Sequence, residues 1–137
     1  MRSVSTDALR YLGALATIVV GAVHLQQYAD FISDVPTIGV LFLLNAVGAG
    51  VVVVLLATRR SVLGAVGAIA LSAVAIVSIL ISMTDTGLFD YTEPTLRAAV
   101  VIAIVAEALA IALLLGYLAL GRAPRQARVD WTAQDRS

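Results

Sequence analysis

Four apolar stretches, at residues 9–29, 37–57, 62–82 and 95–120, take up most of this 137-residue chain. Each is near the ~20 residues that a helix rising about 1.5 Å per residue needs to cross a hydrocarbon core about 30 Å thick. The chain is 61% hydrophobic and 13% charged, whereas soluble domains run at roughly 45–50% apolar and ~25% charged. A water-soluble fold would have to surround four buried helices, and this length leaves too little chain to do so. The predicted fold class is therefore all-α, an antiparallel four-helix transmembrane bundle in a multi-pass membrane protein.

Charge is zero overall, with nine arginines against nine acids, so the information lies in position. Arg2 and Arg10 precede the first span, Arg59 and Arg60 sit between the second and third, and Arg122, Arg125, Arg128 and Arg136 follow the fourth. The opposite side holds Asp30, Asp34, Asp85, Asp90 and Glu93, with Arg97 as its one positive charge. Short loops rich in arginine stay cytoplasmic, which predicts both termini inside. Residues 1–120 then form the transmembrane domain, and residues 121–137 form a basic cytoplasmic tail expected to lie disordered on the inner surface, with Trp131 as an anchor.

The absence of cysteine excludes disulfides, thiolate catalysis and cysteine-ligated metals. The first span is too long for a signal-peptide core and is expected to be retained. Thr6 or Asp7 is placed to cap it. Gly13, Thr17 and Gly21 recur every four residues along it, a spacing that lets another helix approach closely. Gly64 and Ala68 continue the same theme in the third span, whose serines can bond back to the i−4 carbonyl. Asp34 or Thr37 is positioned to start the second helix, beside Pro36. Phe31 and Ile32, then Leu88, Phe89 and Tyr91, are expected at the outer interface. Pro94 and Thr95 should open the fourth helix, which places Tyr117 in the cytoplasmic aromatic belt.

Three polar side chains fall inside the spans: His24, Asn45 and Glu107. Glu107 lies ten residues past Arg97, about 15 Å along the axis. An isolated carboxylate at that depth is costly, so it must be protonated, paired or turned toward water. By the same measure His24 and Asn45 lie about 9 Å and 12 Å inside the outer boundary. Similar depth makes a His24–Glu107 pair braced by Asn45 a candidate ligand- or proton-binding cluster, with Gln26 and Gln27 lining an opening above it. Histidine suits proton exchange because it titrates nearest neutrality. The competing structural reading is a buried clamp that sets helix register, although interhelical hydrogen bonds in membranes average only about 0.6 kcal/mol.

One histidine cannot supply two axial haem ligands within one chain, which would take two copies of His24 in a homodimer, and His24 with Glu107 is too few for catalytic zinc unless loop acids such as Asp30 or Asp90 join them. No phosphate-binding, metalloprotease, nucleophile-elbow or dinucleotide fingerprint occurs. Neither a metal nor another cofactor is expected, and no catalytic residue is assigned. The tail arginines follow from the charge asymmetry and call for no nucleic acid.

The segments His24–Leu25–Gln26–Gln27–Tyr28 and Pro36–Thr37–Ile38–Gly39, running on to Leu41–Phe42–Leu43–Leu44–Asn45, resemble a group of small four-helix membrane proteins common in actinobacteria. The similarity continues through Gly87–Leu88–Phe89, Glu93–Pro94 and Glu107, and covers about residues 9–120. This chain departs from the pattern at Asp90 and Tyr91, where some relatives carry Gly-Phe. The resemblance implies the architecture and a bacterial inner membrane, but no mechanism. The functional expectation is a non-enzymatic accessory or small-ligand-binding component. Its partners would be the lipid bilayer and either further copies of itself or a larger membrane complex. An oligomeric proton-coupled or small-molecule transporter is the alternative, followed by an enzyme acting on a lipid or quinone.

Overall fold

The computed structural model describes residues 4–93 and 95–122. Four long helices make up the fold: α1 (Val4–Gln27), α2 (Ile38–Ala57), α3 (Ser61–Ser82) and α4 (Ala98–Arg122). All four are long and apolar enough to cross a membrane. They close a ring in which α1 packs on α2, α2 on α3, α3 on α4 and α4 back on α1, while α1 barely meets α3 across the middle. The chain is a transmembrane four-helix bundle.

Residue size sorts by direction. Ala49, Ala65, Ala68, Ala103, Ala106 and Ala110 are buried, while Leu15, Leu44, Val54, Val74, Leu80 and Leu109 face outward. A water-soluble bundle would bury the larger side chains. Here lipid tails solvate the outer leucines and valines equally well, so close helix approach through small residues decides the packing. Gly13 sits under Leu114 of α4, where an added Cβ would come within 2.5 Å of the leucine side chain. Thr17 donates to the Gly13 carbonyl at 2.8 Å, and Gly21 faces Ala49 of α2. Gly64 is the tightest seam, since a Cβ there would lie 2.6 Å from the backbone nitrogen of Leu56. Ala68 packs in the same cluster as Leu56, Leu114 and Tyr117.

Several sequence expectations are corrected. Thr6 and Asp7 lie inside α1, which is already helical at Val4, so neither caps it. At its other end α1 widens into a π-helical turn, Tyr28–Ile32, which buries Ile32 while Phe31 stays exposed. Thr37 starts α2 without any side-chain cap. It takes a positive φ of 66°, and the Ile38 N–H donates across it to the Pro36 carbonyl at 2.7 Å. This strained γ-turn costs roughly 1–3 kcal/mol. It is held by the Gly39 N–H donating to the Val35 carbonyl, at a place where Gly39 lies too close to the Ile32 carbonyl to carry a Cβ.

The fourth helix starts at Ala98 and not at Thr95. Tyr117 is buried and shares a 2.8 Å hydrogen bond with Ser61, so it does not sit in an interfacial belt. Of the α3 serines, Ser78 bonds back to Val74 at i−4, Ser82 reaches Ile79 at i−3, and the buried Ser72 hydroxyl has no partner among the described residues. Pro94 and most of the tail, Trp131 included, lie outside the described residues.

Candidate functional site

The α2–α3 seam is closest near the Arg59–Arg60 turn and loosens away from it. At Gly64 the approach is backbone to backbone; at Gly67 it is to the Val52 side chain, and at Gly48 to the Leu71 side chain. Beyond Gly48 the two helices no longer fill the space between them, and a cavity of about 230 Å³ opens. Its walls include Leu41, Phe42, Leu71, Val74, Ala75 and Ala103, and its polar lining is His24, Gln27, Asn45, Ser78, Ser82, Tyr91 and Glu93. Two wall residues, Leu44 and Val74, are 60% and 66% exposed on the outer face of the bundle. Leu44 of α2 and Val74 of α3 thus border the cavity on the lipid-facing side of the bundle.

The last turns of α1 carry His24 and Gln27 into this space, three residues apart and hence on one face. His24 is buried, and its ring lies 5.0 Å from that of Phe42. Its Nδ1 is 2.9 Å from the Val20 carbonyl. A carbonyl only accepts, so Nδ1 carries the hydrogen and Nε2 is the ring nitrogen left for other partners. Nε2 lies 3.8 Å from Oε1 of Glu107 on α4. Glu107 is completely buried, and both of its oxygens have no hydrogen-bond partner among the described residues. A single proton between the two side chains leaves the pair neutral in either arrangement, which is what a low-dielectric position requires.

The spans thus bring His24 and Glu107 together. Asn45 does not brace Glu107: it lines the cavity instead, and its Oδ1 is buried without a partner among the described residues. Gln27 is in the same condition at Oε1, whereas Gln26 is exposed.

Sequence reasoning missed the cover over the end of the cavity away from the Arg59–Arg60 turn. After α3 the chain makes a two-residue hairpin, with Leu88 and Tyr91 exchanging backbone hydrogen bonds at 2.8 and 3.0 Å. Phe89 and Asp90 at its tip both take positive φ, at 50° and 63°. That is the turn that asparagine and glycine normally signal, and neither residue type is present at the tip. Gly87 before it also has positive φ, and a Cβ there would lie 2.5 Å from the Tyr91 carbonyl oxygen.

The hairpin brings Glu93 back to α3, where its N–H donates to the Ser82 carbonyl at 2.8 Å. Arg97 then clamps the Glu93 carboxylate with two hydrogen bonds, at 2.9 and 2.7 Å, and the Tyr91 hydroxyl donates a third at 2.8 Å. Burial alone would raise the Glu93 carboxyl, but the bonds from Arg97 and Tyr91 outweigh it and hold the group below the usual carboxylate range. Burial and the carboxylate push the Tyr91 phenol up, and the bonds to Glu93 raise Arg97. The Arg97 guanidinium also sits 5.4 Å from the Phe31 ring, tying the cover to the end of α1. The available signal was the Glu93 and Arg97 spacing of four, interrupted by a proline.

Among the described residues, no three His, Cys, Asp or Glu side chains gather where they could hold a metal ion. No protein-family model, curated protein or solved structure matches the chain.

Proposed function

We propose that this protein is a membrane-embedded binding component that takes up a small lipid-soluble molecule through the gap between α2 and α3. The observation that carries this reading is the coincidence of an apolar cavity, bordered by the lipid-facing Leu44 and Val74, with polar atoms that have no partner among the described residues. Gln27 and Asn45 each bury an oxygen that no donor among the described residues satisfies. Leaving a buried acceptor unsatisfied costs about 1–3 kcal/mol, which a fitting ligand would recover. Pockets of this composition, apolar with a few convergent polar groups, are the usual form of small-molecule sites.

Orientation follows from the arginines. The helices run antiparallel, with the Arg59–Arg60 turn and both termini cytoplasmic, so the cavity and its hairpin cover occupy the outer half. The membrane is a bacterial inner membrane, in keeping with the actinobacterial resemblance. Little of the chain stands clear of lipid, which supports an accessory role beside further copies or a larger complex. The His24–Glu107 pair favours a second reading, in which binding is coupled to the position of one proton.

The test is saturable uptake of a lipid-soluble probe by protein in nanodiscs, compared with Ala75→Phe. Ala75 lines the cavity and is 6% exposed, so a phenyl ring there occupies the space. Binding that disappears in a variant still folded by circular dichroism supports the reading. Unchanged binding, or none by the native chain, removes it.

A further inference from the structure

One buried stripe of α4 runs Val100, Ala103, Glu107, Ala110, Leu114 and Tyr117, at the steps of three and four that keep to one helix face. Val100 and Ala103 line the cavity, and Glu107 comes one turn further in. The order on α1 is the same: Gln27 and His24 line the cavity, and the buried Thr17 lies beyond them. Glu107 is 0% exposed and is not part of the lining. His24 belongs to both surroundings, since it lines the cavity and its Nε2 faces the carboxyl at 3.8 Å. The imidazole therefore stands between the cavity and the acid.

Beyond Glu107 the bundle is filled. Leu114 covers Gly13, and the Thr17 hydroxyl is committed to the Gly13 carbonyl. Leu56, Ala65, Ala68, Leu114 and Tyr117 make one buried cluster, closed at its end by the Ser61–Tyr117 hydrogen bond. From Glu107 to Tyr117 is about 15 Å of helix. No charged side chain serves that depth: α2 and α3 contain no ionisable residue, and Asp7 and Arg10 pair with each other near the start of α1. On the cavity side the ionisable groups are Tyr91 and Glu93 in the lining, with Arg97 bound to Glu93.

Neither Glu107 oxygen accepts a hydrogen bond among the described residues, and 3.8 Å leaves the imidazole short of donating one. A carboxylate without donors is costly in lipid, so the proton shared by the pair rests on Glu107 and His24 stays neutral. We infer that Glu107 is a proton-binding site served from one side, its proton arriving and leaving only through His24 from the cavity beneath the hairpin. The polar lining beside His24, Gln27 and Asn45 included, gives a water molecule partners there. In loading, Nε2 takes a proton from that water and the imidazolium closes on Oε1. The N–H bond then breaks as the carboxyl O–H bond forms, and the ring ends neutral with its Nδ1 hydrogen still on Val20. Unloading is the reverse. The pair is thus an end point for protons and not a link in a path across the membrane. This concerns the proton alone and stands whether or not the cavity takes a ligand.

The experiment follows the Glu107 proton in the full chain, in nanodiscs at neutral pH. Infrared spectroscopy reads the carboxylic-acid C=O stretch, which falls in wavenumber as O–H becomes O–D after transfer to D₂O. Loss of the band in Glu107→Gln assigns it. His24→Leu removes the carrier and Ala75→Phe fills the cavity that feeds it, so each should slow deuteration at least about tenfold. Thr17→Val, on the far side of Glu107 from the cavity, should leave the rate unchanged. Should either slow variant fold poorly, the other decides. Native-rate exchange in His24→Leu or Ala75→Phe, or an equal slowing by Thr17→Val, overturns the one-sided supply. So does a native chain that shows no Glu107 acid band, or one whose band never deuterates.

Discussion

Nε2 of His24 on α1 lies 3.8 Å from Oε1 of Glu107 on α4, and nothing else among the described residues bonds either Glu107 oxygen. The distance is beyond hydrogen-bond range, so the two groups face each other without being locked. Their main constraint is charge: together they must stay neutral. Glu107→Gln keeps shape and neutrality, and should shift the melting temperature in detergent by no more than a few degrees. Glu107→Arg adds a buried charge with no acid left to balance it, and should prevent recovery of a folded bundle. Size-exclusion profiles and thermal melts of both variants check this.

Gly64 at the α2–α3 seam and Gly50 on the side of α2 toward α1 supply a sharper contrast. At Gly64 an added Cβ meets the backbone of Leu56 and Val52, which cannot yield, while at Gly50 there is nothing within 4 Å. Gly64→Ala should cost about 1–3 kcal/mol through overpacking. Gly50→Ala should be neutral or stabilising by up to ~1 kcal/mol, because alanine is the better helix former. Unfolding of the two variants in a denaturing detergent series ranks them directly.

At the opposite end of the bundle from the cavity, Ser61 and Tyr117 share a buried 2.8 Å hydrogen bond between α3 and α4. A double-mutant cycle with Ser61→Ala and Tyr117→Phe should give a coupling near 0.6 kcal/mol and not above about 1.7 kcal/mol, the range measured for such bonds in membranes. A larger value would mean that the hydroxyl pair organises the seam more than the small residues do.

The hairpin cover carries a pH dependence of definite sign. Arg97 and Tyr91 hold the Glu93 carboxyl below its ordinary value of 4.5, so the folded state favours the ionised form. The groups facing it are Tyr91 and Arg97, with Phe31 beyond the guanidinium. The stabilisation is therefore complete above the ordinary value and is lost as pH falls through the lower folded one. Hydrogen bonds to a charged group contribute about 1.5–3 kcal/mol. Amide protection at Tyr91 and Glu93 should then drop about tenfold or more on acidification, with Glu93→Gln showing low protection at every pH. Hydrogen exchange read by mass spectrometry gives both numbers.

The four spans were legible because hydropathy over about 20 residues leaves a helix little alternative in lipid. The His24–Glu107 pairing was also legible, since two polar groups at one depth in an apolar bundle have few other places to turn. Element ends were not. Thr95 looks like a helix start, yet the Arg97 bonds to Glu93 and the Arg97 N–H donating to the Thr95 carbonyl hold 95–97 out of the helix. Tyr117 looks interfacial by type, but its position is set by which helix carries the Ser61 hydroxyl opposite. The cavity itself depends on the gradual parting of α2 and α3 from Gly64 to Gly48, a tertiary property that no local pattern encodes. Likewise the cover depends on a turn at Phe89–Asp90 whose residues do not announce it.

A cavity entered from lipid and not from water is the claim on which the functional reading stands. The chain has no cysteine, so Ser78→Cys places a single thiol on the cavity lining, and proteoliposomes carrying it can be treated with two maleimides. An apolar N-alkylmaleimide should label the thiol, while a sulfonated, membrane-impermeant maleimide should leave it unmodified from either side. Rapid labelling by the sulfonated reagent would contradict that entry route.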